Sequence, residues 1–293
     1  MGSGGDIVRG GSGIVIKSSS TVTGGITNSG LIASFSAGGA TGGAYAIGLK
    51  GSTLNGDSSN SGTIIGGNAG MGISSSTIIG NITNSGLISG LTALGTVTGL
   101  GIGLAASSMA GSIINQNTGT IIGANYGVGL TGSTITNDIT NSGLIQGSSI
   151  AGIALVAGSS LGGNIVNQSG GSITGAAYGV LVSNSNIGGG ITNAGTINNA
   201  STAINLQNAT VVGSISNSGL IAGTNNTGIR LASSSLGGGI TNAGTILGSG
   251  GDIVTGGSGI VIKSASTVSD ARAARKDIAT ATQNRASVGN TAT

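Results

Sequence analysis

Very few side chains in this sequence could act as an acid, a base, a nucleophile or a thiolate metal ligand. The 293-residue chain has no His and no Cys, and its acidic residues are Asp6, Asp57, Asp138, Asp252, Asp270 and Asp277. A serine hydrolase needs a base such as His beside its nucleophile, and enzymes that cleave polysaccharides use clustered carboxylates. Because the six Asp residues are scattered along the chain, the sequence predicts a non-enzyme with no catalytic, cofactor-binding or metal-binding residues.

Asparagine is the most regularly placed polar residue. It recurs in phrases such as "ITNSGLI" (26–32) and "ISNSGLI" (215–221), and Ser169 takes its place once. The recurring residues are Asn28, Asn60, Asn84, Asn117, Asn141, Asn193, Asn217 and Asn242. Stacked Asn side chains can hydrogen-bond along a repetitive fold. The spacing therefore predicts a structural Asn ladder rather than a row of ligand-binding residues.

The elements that position these residues follow from the repeat. Two further phrases accompany each Asn phrase, one like "YAIGL" (45–49) and one like "STIIG" (76–80), with a basic spacing of 24 residues. Short alternating strands that end at Gly or Asn are typical of a half-buried sheet, and coils of such strands become stable by stacking. The sequence predicts an all-β, three-sided parallel β-helix (β-solenoid) with about 24 residues per coil and nine to ten coils.

The repeat defines two regions, a β-solenoid domain over residues 1–268 and a polar C-terminal tail over residues 269–293. The tail, "SDARAARKDIATATQNRASVGNTAT", is rich in Ala, Arg and Lys, which favour a short helix. Two roles remain open for the tail, a cap on the last coil and a linker to a further domain.

The ends of the repeat region are almost the same sequence. Residues 2–22 and 248–268 differ at two positions, Arg9 against Thr255 and Ser19 against Ala265, with an offset of 246 residues. The duplication indicates either a longer super-repeat, which we favour, or matching end coils suited to head-to-tail stacking.

Three tyrosines stand at the same place in the repeat, just before an apolar strand. They are Tyr45, Tyr126 and Tyr178. A row of aromatic rings can bind sugars by stacking, but these three lie in non-adjacent coils. We therefore predict that they pack locally at a corner.

Three repeats are lengthened at the same corner, over residues 34–43, 91–99 and 247–257. Repeat proteins often carry recognition on loops that project from one side. The alternative is tolerated length variation at a surface corner, because loops lengthen at little cost in free energy.

The charge balance and hydropathy exclude some classes of protein. Nine Lys and Arg against six Asp give a net charge of +3 on an otherwise neutral body. Neither this balance nor the spacing of the basic residues indicates a nucleic-acid-binding protein. No run of 18 apolar residues predicts a transmembrane helix, and residues 1–25 lack a signal-peptide pattern.

The phrases "ITNSGLI" (26–32) and "GSISNSGLIAG" (213–223) resemble the passenger repeats of bacterial autotransporter-type exported adhesins. The resemblance covers about residues 2–268. It implies a right-handed parallel β-helix at the cell surface or outside the cell, associated with the outer membrane of a Gram-negative bacterium. Its partner would be a host surface or another copy, and any membrane contact would come through a barrel domain absent from this chain.

Three functions are therefore under consideration. The first is a non-catalytic adhesin-like scaffold. The second is a self-associating structural protein that forms filaments or a matrix by end-to-end stacking of coils. The third and weakest is a carbohydrate-active β-helix enzyme.

Overall fold

The structure is a computed structural model that describes residues 13–34, 45–91, 99–248, 260–263 and 267–268. These residues form a parallel β-solenoid, and the predicted fold class is confirmed. They contain strands and turns but no helix. The predicted helix in the tail lies outside the described residues.

The first three coils hold twelve strands: β1 (Ile14–Lys17), β2 (Thr21–Thr23), β3 (Thr27–Asn28), β4 (Leu31–Ser34), β5 (Tyr45–Lys50), β6 (Thr53–Asn55), β7 (Ser58–Asn60), β8 (Thr63–Gly66), β9 (Ala69–Ser74), β10 (Thr77–Ile79), β11 (Ile82–Asn84) and β12 (Leu87–Gly90). The next three coils hold β13 (Leu100–Ala105), β14 (Ser108–Met109), β15 (Ile113–Asn115), β16 (Thr120–Gly123), β17 (Tyr126–Thr131), β18 (Thr134–Ile135), β19 (Ile139–Asn141), β20 (Leu144–Gly147), β21 (Ala151–Val156), β22 (Ser160–Leu161), β23 (Ile165–Asn167) and β24 (Ser172–Gly175). The last coils hold β25 (Tyr178–Ser183), β26 (Asn186–Ile187), β27 (Ile191–Asn193), β28 (Thr196–Asn199), β29 (Thr202–Gln207), β30 (Thr210–Val211), β31 (Ile215–Asn217), β32 (Leu220–Gly223), β33 (Ile229–Ala232), β34 (Ser235–Leu236), β35 (Ile240–Asn242), β36 (Thr245–Gly248), β37 (Ile260–Lys263) and β38 (Thr267–Val268).

Each coil contributes one strand to each of four parallel sheets. The first sheet runs from β1 through β5 to β37, and the second runs from β2 through β6 to β38. The third runs from β3 to β35 and the fourth from β4 to β36. In all four sheets every strand between the first and the last pairs with the equivalent strands of the coils before and after it.

The prediction of three strands per coil was one strand short. The phrase "ITNSGLI" forms two strands, because β3 ends at Asn28 and β4 begins at Leu31. The Ser-Gly pair between them turns the chain, and Asn28 Nδ2 donates a hydrogen bond to Gly30 O at 3.1 Å across this turn. A turn this short leaves no break in the hydropathy pattern, so the two strands look like one phrase.

The coils are also slightly longer than predicted. Equivalent Asn residues of neighbouring coils are 24–26 residues apart in six steps. The two remaining steps are 32 and 31 residues, and both contain a lengthened corner. The average is about 26 residues per turn, and 24 is the minimum length.

The narrow interior is filled by stacked aliphatic side chains. The fourth sheet shows this most clearly, because nine Ile residues follow one another from coil to coil without a break. They are Ile32, Ile64, Ile88, Ile121, Ile145, Ile173, Ile197, Ile221 and Ile246, and all are buried. Identical branched side chains in register fill the interior at every step without the volume of an aromatic ring.

Glycine is frequent at the corner where a strand of the fourth sheet is followed by the first-sheet strand of the next coil. A Cβ atom at Gly147 would lie 1.9 Å from Ala151 O, and one at Gly123 would lie 1.8 Å from Tyr126 O. At these two positions the backbone therefore approaches itself too closely for a larger residue, whereas Ser34 and Asn199 stand at the equivalent place in other coils. The three lengthened segments follow β4, β12 and β36 in the chain, at this point of the coil. Most of their residues, 35–44, 92–98 and 249–259, lie outside the described part of the chain.

One position interrupts the inward-facing Ile row of the third sheet. Ser58 lies between Ile26 and Ile82 in register, is buried, and has a hydroxyl with no hydrogen-bond partner. A small cavity lies beside it, lined also by Ile47, Ile64 and Met71.

We expect Ser58→Ile to raise the free energy of unfolding by about 2–3 kcal/mol, because it removes an unpartnered buried hydroxyl and fills apolar space. The measurement is urea unfolding followed by circular dichroism. Ser59→Ile is the control, since Ser59 is exposed on the same strand, and it should change stability by less than about 0.5 kcal/mol. A lower stability of Ser58→Ile would contradict the prediction.

Candidate functional site

The third sheet carries a column of nine Asn side chains, of which all but the last, Asn242, are buried. They are Asn28, Asn60, Asn84, Asn115, Asn141, Asn167, Asn193, Asn217 and Asn242. In each step the Nδ2 of one residue donates to the Oδ1 of the next at 2.7–2.9 Å. The column runs through the whole length of the described solenoid.

Each Asn amide also donates to a backbone carbonyl of its own turn and, from Asn28 to Asn217, to one of the next coil. Asn141 Nδ2 donates to Gly143 O at 3.0 Å and to Ser172 O of the next coil at 3.0 Å. The side chain is fully buried, and its polar atoms are engaged within the solenoid. This arrangement joins the third and fourth sheets and supports a structural role for the column.

Two of the sequence assignments need correction. Asn117 and Ser169 were placed in the column, but Asn115 and Asn167 occupy it. Asn117 and Ser169 are exposed in turns. These two coils have two extra residues between the Asn and the Gly of the turn, and alignment on the Gly therefore assigned the wrong residue.

A second ladder, made of Ser residues, was not foreseen from the sequence. The Ser76 N–H donates to Ser107 Oγ at 3.1 Å, and the Ser107 N–H donates to Ser133 Oγ at 3.1 Å. Each hydroxyl donates in turn to a carbonyl two or three residues before it, as Ser107 Oγ does to Ala105 O at 2.8 Å. The ladder extends over Ser52, Ser76, Ser107, Ser133, Ser159 and Ser185. Serine is so frequent in this chain that no spacing marks these six.

Ala209 interrupts the Ser ladder between Ser185 and Ser234. Ala209 is buried, and its N–H donates to Ser234 Oγ at 3.1 Å. We expect Ala209→Ser to raise the unfolding free energy by about 1 kcal/mol, because the new hydroxyl would accept from the Ser185 N–H and donate to Gln207 O. Thermal melting measures the effect, with the exposed Gln207→Ser as control. No gain in melting temperature would count against this prediction.

The two described Asp residues also link neighbouring coils. Asp57 Oδ1 accepts from Asn81 N at 2.7 Å, and Asp138 Oδ1 accepts from Asn164 N at 2.6 Å. Two coils separate Asp57 from Asp138, so at about 4.8 Å per coil their carboxylates are roughly 14 Å apart. Asp6, Asp252, Asp270 and Asp277 lie outside the described residues.

The outer side of the first sheet is apolar from β5 to β25, and we call this part the tyrosine face. It comprises Tyr45, Leu100, Tyr126, Ile150, Ala151, Ala154, Val156, Tyr178 and Leu181. Tyr126 and Tyr178 pack against Ala151 and Ala154, which are fully buried between them. The rings are half-buried, so one apolar surface continues from Tyr126 to Tyr178 although the rings themselves lie two coils apart.

Glycines beneath the side chains make this face flat. A Cβ atom at Gly72 would lie 2.4 Å from Tyr45 Cδ1, and one at Gly103 would lie 2.2 Å from Leu100 Cδ1. The large side chains therefore lie directly on the sheet backbone. The tyrosines pack on the face of the sheet, over their own strand and the neighbouring strand, rather than at a corner.

Burial changes the titration of one tyrosine. Desolvation raises the pKa of the Tyr126 hydroxyl above its ordinary value of 10.0. A pKa that is raised on folding contributes stability that is fully present below the unfolded value and is lost as the pH rises through the folded pKa.

We therefore expect the protein to lose stability above about pH 10 and expect Tyr126→Phe to lose less. The measurement is the melting temperature of both proteins as a function of pH. Near pH 8, well below the pKa of about 10 of an unfolded Tyr, the melting temperature of Tyr126→Phe should depend on pH as that of the parent protein does. Identical alkaline profiles for the two proteins would contradict the assignment.

Two of the three lengthened segments directly precede residues of the tyrosine face in the chain. The segment after β4 leads into Tyr45, and the segment after β12 leads into Leu100. The variable part of the repeat is therefore joined in sequence to two strands that carry this face.

No group of three or more His, Cys, Asp or Glu residues that could hold a metal ion occurs in the described ranges. Within the same ranges, no helix has the length and hydrophobicity needed to cross a lipid bilayer. Comparison with known proteins found no protein family, curated protein or solved structure that matches this chain.

Proposed function

We propose that this chain is a non-catalytic, adhesin-like β-solenoid scaffold, similar to an autotransporter passenger segment, that works at the bacterial cell surface or outside the cell. The observation that carries the proposal is the tyrosine face, a half-exposed apolar strip that two of the lengthened segments directly precede in the chain. Rigid scaffolds often present binding surfaces in this way, with variable loops beside a regular sheet. In this role the tyrosine face contacts a host-surface partner.

The interior supports the same proposal. The Asn and Ser ladders engage buried polar side chains in bonds between coils, and these bonds stabilise a regular rod. The carboxylates of Asp57 and Asp138 likewise bind neighbouring coils and stand far from one another. These roles are structural ones, as expected of a scaffold.

Localisation is tested on intact bacteria. An antibody raised against residues 99–248 should label unpermeabilised cells or detect the protein in the culture medium, and external protease should abolish the surface signal. Protein confined to the cytosolic fraction would overturn the proposed location.

Adhesion is tested with the purified chain coated on beads and applied to host-cell monolayers. The double variant Tyr126→Ser/Tyr178→Ser should bind about tenfold more weakly, because aromatic anchors dominate interface energies. Val212→Ser is the control, since Val212 is 62% exposed and lies outside the tyrosine face. Equal adhesion of the double variant and the parent would overturn the role of this face.

A further inference from the structure

The two ends of the described solenoid carry the same strands. β1, the first strand of the first sheet, and β37, the last one, both read "IVIK". β2 and β38 stand at the two ends of the second sheet and both begin with Thr-Val. The duplicated sequence therefore places equivalent strands at opposite ends of one rod.

The tenth coil is incomplete among the described strands. The first and second sheets contain ten strands, whereas the third and fourth contain nine. β35 and β36 consequently end their sheets with no described strand beyond them. The edge strand of a sheet presents N–H and C=O groups that readily pair with another strand.

We propose that the first coil of a second copy of this chain replaces the incomplete tenth coil, so that copies join head to tail. β1 of the second copy would pair with β33 in the register that β37 uses, Ile229 with Ile260 and Ala232 with Lys263. Ile14 and Lys17 are the residues of the second copy at those two places. β2 would replace β38 on β34 in the same way.

The second copy adds two strands that the described part of the tenth coil does not contain. β3 and β4 of the second copy continue the third and fourth sheets beyond β35 and β36. The joint places Ile32 of the second copy on Ile246, which extends the Ile row of the fourth sheet across the two molecules. These two end residues are 8% and 7% exposed, whereas the seven Ile residues between them are at most 2% exposed.

The Asn column points to the same joint. Asn242 accepts from Asn217 and donates to Gly244 O at 3.1 Å, and no described Asn accepts from its Nδ2. Asn28 Oδ1 accepts from the Gly30 N–H at 3.3 Å, and no described Asn donates to it. Head-to-tail joining brings Asn28 Oδ1 of the second copy to Asn242 Nδ2 and makes the column continuous.

Replacing the tenth coil by the first coil of a second copy is favourable because no strand pairing is lost without an equivalent one. The displaced strands β37 and β38 are replaced by the same residues in the same register, while two further strand pairings and one Asn step are gained. The partner is therefore another copy of this chain, recognised through strand sequence and register.

A glycine at the end of the rod provides a selective test. A Cβ atom at the equivalent turn glycines Gly62, Gly86 and Gly143 would lie 2.0–2.2 Å from the carbonyl oxygen of the glycine one coil earlier. At Gly30 no described atom lies within 4 Å of such a Cβ. Gly30→Ala should therefore leave a single molecule intact but collide with Gly244 O of the preceding copy in the joint.

The first experiment is sedimentation velocity of the full chain over a concentration series up to about 0.5 mM, a range that detects weak association. The parent protein should form species that are multiples of one chain, and Gly30→Ala should weaken association at least tenfold with an unchanged melting temperature. A parent protein that stays monomeric throughout, or a Gly30→Ala protein that associates equally well, would overturn the proposal.

The second experiment tests the register by disulfide trapping, which is clean because the chain has no Cys. Ser29 and Ala243 are exposed and would lie on adjacent coils in the joint, about 4.8 Å apart, within the Cα separation of about 4.4–6.8 Å that a disulfide allows. Ser29→Cys/Ala243→Cys should give a ladder of covalent multimers. In the control Ser29→Cys/Ser218→Cys the positions stand two coils apart, and no ladder should form. No ladder from the first pair, or equal ladders from both, would refute this register.

Discussion

Replacing Asn115 with Ala is expected to lower the free energy of unfolding by about 4 kcal/mol, which is at the upper end for a single substitution. Asn115 is fully buried, and its Nδ2 donates to Asn141 Oδ1 at 2.8 Å, to Leu144 O at 3.0 Å and to Gly119 O at 3.1 Å. Its Oδ1 accepts from Asn84 Nδ2 at 2.8 Å. Alanine removes all of these bonds and takes away the Nδ2 donor of Asn141 Oδ1 in the interior, while Asn84 Nδ2 keeps only its bonds to Gly86 O and Thr120 O.

The control for Asn115→Ala lies two residues away in the same coil. Asn117 is exposed, and its Oδ1 accepts only the neighbouring Thr118 N–H, at 3.1 Å. Asn117→Ala should therefore change stability by less than about 0.5 kcal/mol. Urea unfolding of the two variants measures the difference, and equal losses would contradict the assignment of Asn115 to the column.

The second large effect is expected at Gly147. An Ala Cβ at this position would lie 1.9 Å from Ala151 O and 2.5 Å from Asn125 O, both of which are backbone atoms that cannot move aside. The chain must open the corner between β20 and β21 and disturb the pairing of both strands. We expect Gly147→Ala to cost about 3–5 kcal/mol, comparable to other severe strain or overpacking changes.

The control for Gly147→Ala is Gly30→Ala, where a Cβ meets no described atom within 4 Å. Measured on dilute protein, this control should melt like the parent, whereas Gly147→Ala should melt at least 5 °C lower. Equal melting temperatures for Gly147→Ala and the parent would contradict the close approach at this corner.

The periodic part of the fold was predictable from the sequence. Phrases such as "ITNSGLI" repeat the apolar residues that form the interior rows, and stacking is the only way such short strands can bury them. For the same reason most of the Asn column could be read from the spacing of Asn28, Asn84 and Asn217.

Other features depend on local geometry that spacing does not reveal. The two extra turn residues after Asn115 and Asn167 shifted the alignment of the repeats, so that Asn117 and Ser169 were assigned to the column in their place. The division of the Asn phrase, such as "ITNSGLI", into two strands depends on a turn of two residues. The tyrosine face depends on which glycines lie beneath Tyr45 and Leu100, and this follows from strand register rather than from composition.

The parallel stacking of coils also determines how the rod responds to mechanical load. Because neighbouring coils pair along the rod axis, tension applied to its two ends pulls directly on the hydrogen bonds between one coil and the next. The end coil should detach first, and each coil released would lengthen the tether by roughly 80–90 Å, since an extended chain spans about 3.4 Å per residue. Such a rod should unfold coil by coil under force and dissipate mechanical work at every step.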